Sequence, residues 1–456
     1  MNIDPINALP GNWQIDFAAL HPVEVLTDLD QALRNALAEP LASPTLAELC
    51  AGNPQIGLVC DTALNPDLLM MLLGGTLTAL RQAGVSDDRI QLVVPISTSD
   101  EVRHALETLN LIIVYHDPDD LRELDSLGMV EGLPLQSNFH VLNASMLISI
   151  GAVQIDLFAG YSGGSEDIAF GMSGRAFQRG LREMRFLGER EIHADPVRNR
   201  NYQRTVREAA RRAGLRFVVN VLLDQHKQAV VIRAGEPNVV HDALTELARA
   251  QREVAVRRED YDVIVADKLA GYASLYEASA VAVNIGGAMM SPLMQGGVIM
   301  LPAHCGTESA QTDASQRFYE ALTAGSDTEM VMDMLRQRTL LPGEAQAYLL
   351  AQSMQHYKVM VVGPDAACER LAQACHFIAA RDMSEAVDLA ESLVGGRPNA
   401  LVLSDADYTL PVYSPALQYD LARASTQSQD DALNLTWLDG LDDIDVEKLL
   451  DTSDAE

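Results

Sequence analysis

The chain has 456 residues, too many for one ordinary core, so two domains are expected. Its formal net charge is -31, from 64 acidic and 33 basic side chains, which argues against nucleic acid and anionic membranes as partners, because both select basic patches. Hydrophobic content of 48% with 21% charged residues is ordinary for a soluble globular protein, so the charge also fits an acidic or salt-adapted cytosol.

Five cysteines, at 50, 60, 305, 368 and 375, are scattered and form no CxxC. We therefore expect neither a disulfide framework nor a structural zinc site. Met1 to Phe17 has no basic start and no apolar core, so no signal peptide is expected. The uncharged stretch Ala278 to Cys305 is long enough to span a membrane. Gly286-Gly287, Pro292, Gly296-Gly297 and Pro302 interrupt it, and it reads as a buried helix followed by a buried strand. A soluble, cytoplasmic protein is the expectation.

Residues 1 to about 50 read as an irregular arm plus one helix. Strands and helices then alternate: strand Gln55 to Thr62, helix Asp67 to Ala83 and strand Arg89 to Ser97. Next come a helix from Asp100 to Leu109, capped by Ser99 or Asp100, and a strand from Leu111 to His116. Short apolar runs between helices indicate a parallel sheet covered on both faces. Leu147 to Val153 is another buried strand, and it leads into the turn Gly160-Tyr161-Ser162-Gly163-Gly164. Glycines there would let backbone N–H groups approach an anion, or serve only as a structural turn.

An arginine-rich helical region, Arg175 to Arg185, precedes a helix from Gln203 to Ala213. Arg216 to Leu223 and Gln228 to Arg233 read as a hairpin, and Asn238 to Arg258 as a long connecting helix. The second half reads strand Tyr261 to Ala266, helix Ser274 to Met290, strand Gly297 to Ala303, then helices to about Gln355. Strands Lys358 to Val362, His376 to Ala379 and Ala400 to Ser404 alternate with helices Asp365 to Ala374 and Ser384 to Val394. The fold class is thus α/β, two domains with parallel-type sheets and an interdomain cleft: 1–250, carrying the glycine loop, and 258–413, followed by an acidic, partly disordered tail at 414–456. Ligands in such folds sit beyond the carboxyl ends of strands, where Gly160 to Glu166, Thr98 to Asp100 and Ala270-Gly271-Tyr272 fall.

Several residues carry a chemical and a structural reading side by side. Asp156, Glu166 and Asp167 could hold Mg²⁺ or Ca²⁺ through oxygen, or form a solvated acidic loop. Asp61 is a candidate ligand contact or an Asx-turn residue. His304-Cys305 would point to opposite faces of a strand, which disfavours a nucleophile pair. His116, His140 and His193 read as structural. The arginines at 175, 179, 182 and 185 recur at helical spacing, as a basic stripe or a solvated face.

Ordered landmarks over roughly Gln55 to Val412 resemble the nickel-pincer lactate racemase family. They include Cys60-Asp61-Thr62, Val94 to Thr98, His116-Asp117-Pro118, Phe139 to Gly164, Asp195 to Arg198, Phe217 to Leu223, Gly271-Tyr272 and Gly296 to Ile299. The resemblance implies a two-domain α/β fold, a nickel-pincer nucleotide in the cleft and racemisation of 2-hydroxy acids by hydride transfer. It places Asp61, Thr62, Gly160, Ser162, Gly163 and Gly164 at the cofactor.

The family's working residues do not carry over. Its cofactor-anchoring lysine aligns with Glu166, and a carboxylate cannot form the thioamide link. Its two catalytic histidines align with Ser99 and Asp156, its nickel-ligand histidine falls near Arg182, and its substrate arginine aligns with Leu64. The glutamine and lysine of the second domain align with Glu277 and Ala280. A racemase needs two bases of near-neutral pKa, and nickel needs soft ligands; serine and carboxylates supply neither.

Three readings follow. One is a small-anion-binding or regulatory pseudoenzyme. Another is a diverged isomerase acting on a 2-hydroxy acid with a non-covalent cofactor or a divalent metal on Asp156 and Glu166. The third is the family's nickel-dependent racemase itself. The expected ligand is a small carboxylate or phosphate-bearing molecule, and the expected partner a second copy or an active relative.

Overall fold

The computed structural model describes residues 9–187, 200–267, 272, 274–287, 291–303 and 312–414. All but Ser414 belong to the compact unit Met1–Tyr413. The expected landmark Asp195 to Arg198, His193, His304, Cys305, Ala270, Gly271 and the tail from 415 lie outside the described residues.

The fold is α/β, built on two six-stranded sheets. The first runs, edge to edge, Ala229–Gly235, Leu215–Leu223, Met146–Val153, Ile56–Cys60, Ile90–Pro95 and Ile112–His116. All neighbours in it are parallel except the hairpin of Leu215–Leu223 with Ala229–Gly235. The second runs Gln14–Ala18, Asn399–Ser404, Tyr261–Asp267, Leu293–Pro302, Lys358–Val362 and Ile378–Ala380, parallel throughout.

Central strands are apolar on both faces because helices cover both. Every residue of Ile56–Cys60 and Met146–Val153 is buried. Helix Pro66–Gln82 illustrates the cover. Asn65 caps it by accepting from the Asp67 and Leu68 amides, and Pro66 takes the first position, where no N–H is required. Its Leu69, Leu72, Leu73, Leu77 and Leu80 pack on the first sheet's core. Each contributes roughly 1.5–3 kcal/mol on burial.

Four elements differ from expectation. The segment expected to be an irregular arm contains the strand Gln14–Ala18, which joins the edge of the second sheet beside Asn399–Ser404. The long connecting helix stops at Arg252, and Glu253–Val256 forms a strand with Leu410–Tyr413. A hairpin of Leu124–Val130 with Leu133–Asn138 stands outside both sheets. The arginine-rich region is likewise two short helices, Arg175–Gly180 and Met184–Leu187. Cys50, Cys60 and Cys375 are free and buried, while Cys368 is disulfide-bonded, which the scattered cysteines gave no reason to expect. Among the described residues no helix is long and apolar enough to cross a membrane.

Candidate functional site

The strand Met146–Val153 ends against a small antiparallel ribbon, Ile155–Asp156 with Gly160–Tyr161, followed by helix Ser165–Ala169. Asp156 and Glu166, ten positions apart in sequence, face one cavity of about 90 Å³ with Phe158, Phe170, Arg182 and Tyr202. Asp156 Oδ1 accepts from the Phe158 and Ala159 amides, both at 2.7 Å. Glu166 Oε1 accepts from the Tyr202 hydroxyl at 2.6 Å, and its Oε2 is shut off from solvent with no hydrogen-bond partner. The Arg182 guanidinium stacks on Phe170 at 4.3 Å and on Phe158 at 5.7 Å, and its Nε has no hydrogen-bond partner.

The electrostatics follow from enclosure. Burial, then the negative charge of Asp156, pushes the Glu166 carboxyl well above the usual carboxylate range. Burial and the nearby Glu166 also raise the Tyr202 phenol, and burial pulls the Arg182 guanidinium down. The cavity therefore presents a carboxyl whose ionisation is disfavoured, a phenol and a guanidinium. Such a set can orient and hydrogen-bond a small polar or anionic group.

On the neighbouring side of helix Ser165–Ala169 lies a second carboxylate pair, Asp61 and Asp167. Asp61 Oδ1 accepts from the Ala63 amide at 2.9 Å, the Asx-turn arrangement. Asp167 Oδ2 accepts from Ser149 Oγ at 2.6 Å, and burial followed by the proximity of Asp61 pushes its pKa up to about 7. Gly151 makes this approach possible. A Cβ there would lie 3.0 Å from Asp167 Oδ2 and 3.1 Å from Asp61 Cβ. Beside it, Asn220 is buried with neither end of its amide hydrogen-bonded.

In the glycine turn, the Ser162 amide donates to Gln154 O at 2.8 Å, the Glu166 amide to Gly163 O at 3.2 Å, and the Gly164 amide to the Asp167 carboxylate. Gly163 has φ +103°, and a Cβ on it would meet Ala152 O at 2.6 Å. Close packing on the strand backbone requires this glycine, whatever the turn binds. Gly160 at φ +75° starts the second strand of the ribbon.

The remaining candidates separate. Thr98 donates to Pro95 O at 2.6 Å and stands 3.4 Å from the Thr62 hydroxyl, which brings those two loops together. Ser99 is exposed and caps helix Asp100–Glu107, accepting from the Val102 amide at 3.4 Å. Leu64 is core, 3% exposed, and Glu277 is exposed. His116 is buried against Ser173 O at 3.2 Å, and His140 pairs with Gln91 at 3.0 Å, both in structural roles. The arginine stripe divides. Arg175 pairs with Asp119 at 2.9 Å and Arg185 with Glu183 at 3.0 Å, whereas Arg182 turns inward to the cavity. Among the described residues no group of three His, Cys, Asp or Glu side chains is placed to hold a metal.

Tyr202, Ser149 and Asn220 were missed. For Ser149 and Asn220 the signal was present: Ser149 is the lone polar residue of a strand buried along its length, and Asn220 interrupts the buried apolar run Phe217 to Leu223.

Residues 7–184 match the family model "Lactate racemase N-terminal domain". The chain is 23% identical over 395 residues to a lactate racemase of Thermoanaerobacterium thermosaccharolyticum, covering 82% of this chain and 89% of that one. It is 23% identical over 396 residues to a lactate racemase of Lactiplantibacillus plantarum, with the same coverage. The structure of the T. thermosaccharolyticum lactate racemase apoprotein superposes with TM-score 0.77 at 21% identity, covering 88% of this chain and 96% of that one. A Thermotoga maritima protein of known structure superposes with TM-score 0.55 at 12% identity, covering 81% and 96%. Residues 7–184 thus match the lactate racemase N-terminal domain family, and over most of its length the chain is similar to lactate racemases in sequence and shares their fold.

Proposed function

We propose that this chain is a lactate-racemase-like protein without pincer chemistry, a pseudoenzyme that binds a small anion in the Asp156–Glu166 cavity. The observation that carries the reading is Glu166. It stands where the resemblance places the cofactor-anchoring lysine, with Oε1 held by Tyr202 and Oε2 enclosed. A nickel-pincer nucleotide does not fit the residues present. The groups facing the cavity are carboxylate and phenol oxygens and a guanidinium, a hard, partly cationic set with neither imidazole nor amine among the described lining. Its volume of about 90 Å³ is also below the roughly 300 Å³ at which sites for drug-sized ligands begin. The Nε of Arg182, which has no hydrogen-bond partner, favours a small carboxylate, and the raised pKa of Glu166 lessens the repulsion such an anion would meet.

Calorimetric titration with lactate tests this. Saturable binding that is lost in Arg182→Met supports the reading, and turnover of one lactate enantiomer into the other contradicts it. One observation favours a second reading, a diverged enzyme using a divalent metal. Asp156 and Glu166 repel one another across the cavity, and a cation would relieve that repulsion. Stoichiometric magnesium or manganese, lost in Asp156→Asn, would select it.

A further inference from the structure

Three neighbouring strands of the first sheet set a row of positions near their carboxyl ends, the place where open α/β sheets receive ligands. Gly151 of Met146–Val153 pairs with Asn220 of Leu215–Leu223. On the other side of Gly151, the Asp61 amide continues the ladder of Ile56–Cys60 by donating to Ile150 O at 2.9 Å. Laterally paired positions share a face of the sheet, so Asp61, the bare Gly151 and Asn220 lie side by side. Ser149, two residues back on the middle strand, points the same way. Helix Ser165–Ala169 covers this face: its Ile168 packs in one cluster with Val59, Leu147 and Val218, and its Asp167 Oδ2 accepts from Ser149 Oγ at 2.6 Å.

Two carboxylates enclosed side by side call for a counter-charge. Asp61 accepts from the Ala63 and Ala152 amides, and Asp167 from Ser149 and the Gly164 amide. Among the described residues no Arg, Lys or His pairs with either carboxylate.

Asn220 is an independent sign of a ligand at the same point. It is 0% exposed, and neither end of its carboxamide is hydrogen-bonded, a costly state for a buried amide. Its Nδ2 lies 3.6 Å from the point that a Gly151 Cβ would occupy, and Asp167 Oδ2 lies 3.0 Å from that same point. The amide is thus aimed at the gap that Gly151 leaves beside the two carboxylates. A half-turn of the amide exchanges its nitrogen and oxygen in the same shape and directs the oxygen there. Asp61, Asp167, Ser149 and Asn220 then offer four oxygens, the donor type that Mg²⁺ and Ca²⁺ take. Two of the four are carboxylates, whose combined charge one divalent ion balances. A hydroxyl and a carboxamide complete the set, which therefore contains no trio of carboxylate, imidazole or thiol groups.

We propose that Asp61, Ser149, Asp167 and Asn220 form a binding site for one hard divalent cation, Mg²⁺ or Ca²⁺, which ties helix Ser165–Ala169 to the carboxyl ends of the first sheet. The site uses none of the residues that line the Asp156–Glu166 cavity, so the inference does not depend on what that cavity binds.

The test is calorimetric titration of the full chain, freed of metal with EDTA, with magnesium chloride and separately with calcium chloride. At least one of the two ions should bind saturably, one per chain, with Kd below about 1 mM, and should raise the thermal midpoint. Asp167→Asn keeps the side-chain shape and should weaken that binding about 100-fold or more. Asp61→Asn, at a half-buried position, should do the same and carries the test if Asp167→Asn does not fold. Asn220→Leu, similar in volume, should weaken it about 10-fold, and Asp156→Asn should leave it unchanged. Saturable binding of neither ion would assign the gap to an ordered water and overturn the proposal. Undiminished binding in the aspartate variants or in Asn220→Leu would overturn it too. Binding lost in Asp156→Asn but kept in Asp61→Asn would also overturn it, and would place the ion in the Asp156–Glu166 cavity.

Discussion

Replacing Tyr202 with phenylalanine removes one oxygen and leaves the ring against Phe186, whose centroid lies 6.2 Å away in an edge-to-face arrangement. The lost atom is the donor 2.6 Å from Glu166 Oε1. Because Oε2 has no partner either, the variant leaves the Glu166 carboxyl without a hydrogen bond from the described residues. The cost depends on protonation: a hydrogen bond to a neutral carboxyl contributes about 0.5–1.5 kcal/mol and one to a carboxylate about 1.5–3 kcal/mol. Burial and Asp156 raise the folded-state pKa of Glu166. Its contribution to stability therefore falls as pH rises from the ordinary carboxylate range through that raised value. The destabilisation by Tyr202→Phe should accordingly grow with pH. Urea unfolding of wild type and variant at about pH 5.5 and about pH 8.5, with equal m-values, reads it directly. A difference below about 0.3 kcal/mol at both pH values would refute the reasoning, because a hydroxyl in an intact enclosed pair cannot be that inconsequential.

Gly163→Ala places a Cβ 2.6 Å from Ala152 O at φ +103° and should cost about 2–4 kcal/mol in urea unfolding. Gly84→Ala, with φ +89° and nothing within 4 Å, is the control and should cost only the backbone part, about 1–2 kcal/mol. Asp167 has a folded pKa raised to about 7, so the wild type should lose stability as pH rises from about 4 to about 7. In Asp167→Asn that slope should flatten, measured as the urea midpoint against pH. Leu64→Arg, which restores the family's arginine at a position 3% exposed, should destabilise by about 3 kcal/mol or more by burying a charge. If it is tolerated, the position faces a ligand rather than the core.

Much of the fold was legible because the central strands are uniformly apolar and the helices carry their own caps. Lys358–Val362 matches the expected bounds, and Asp365 caps helix Ala366–Ala374 through the Ala367 and Cys368 amides. What was not legible depended on distant partners. Gln14–Ala18 alternates polar and apolar residues over only five positions, too short a signal by itself, and pairs as a strand with Asn399–Ser404. Glu253–Val256 continues a helical pattern until Leu410–Tyr413 offers it a parallel partner. The hairpin Leu124–Val130 with Leu133–Asn138 turns on Glu131 and Gly132, both at positive φ, without a strong turn dipeptide.

The candidate site divides in the same way. Asp156 and Glu166 were named from sequence, and they share a cavity. Asp61 was named as well, but it belongs with Asp167, because adjacent residues on a helix cannot face the same side. Tyr202 and the inward turn of Arg182 could not be read from local pattern. Both side chains sit in arginine-rich stretches, and only packing decides which of those residues is drawn inside.

Intact mass and metal content of the full chain purified from its native cells bear most directly on the central claim. The account predicts the unmodified chain mass and nickel far below one per chain. A covalent mass addition with stoichiometric nickel would contradict it.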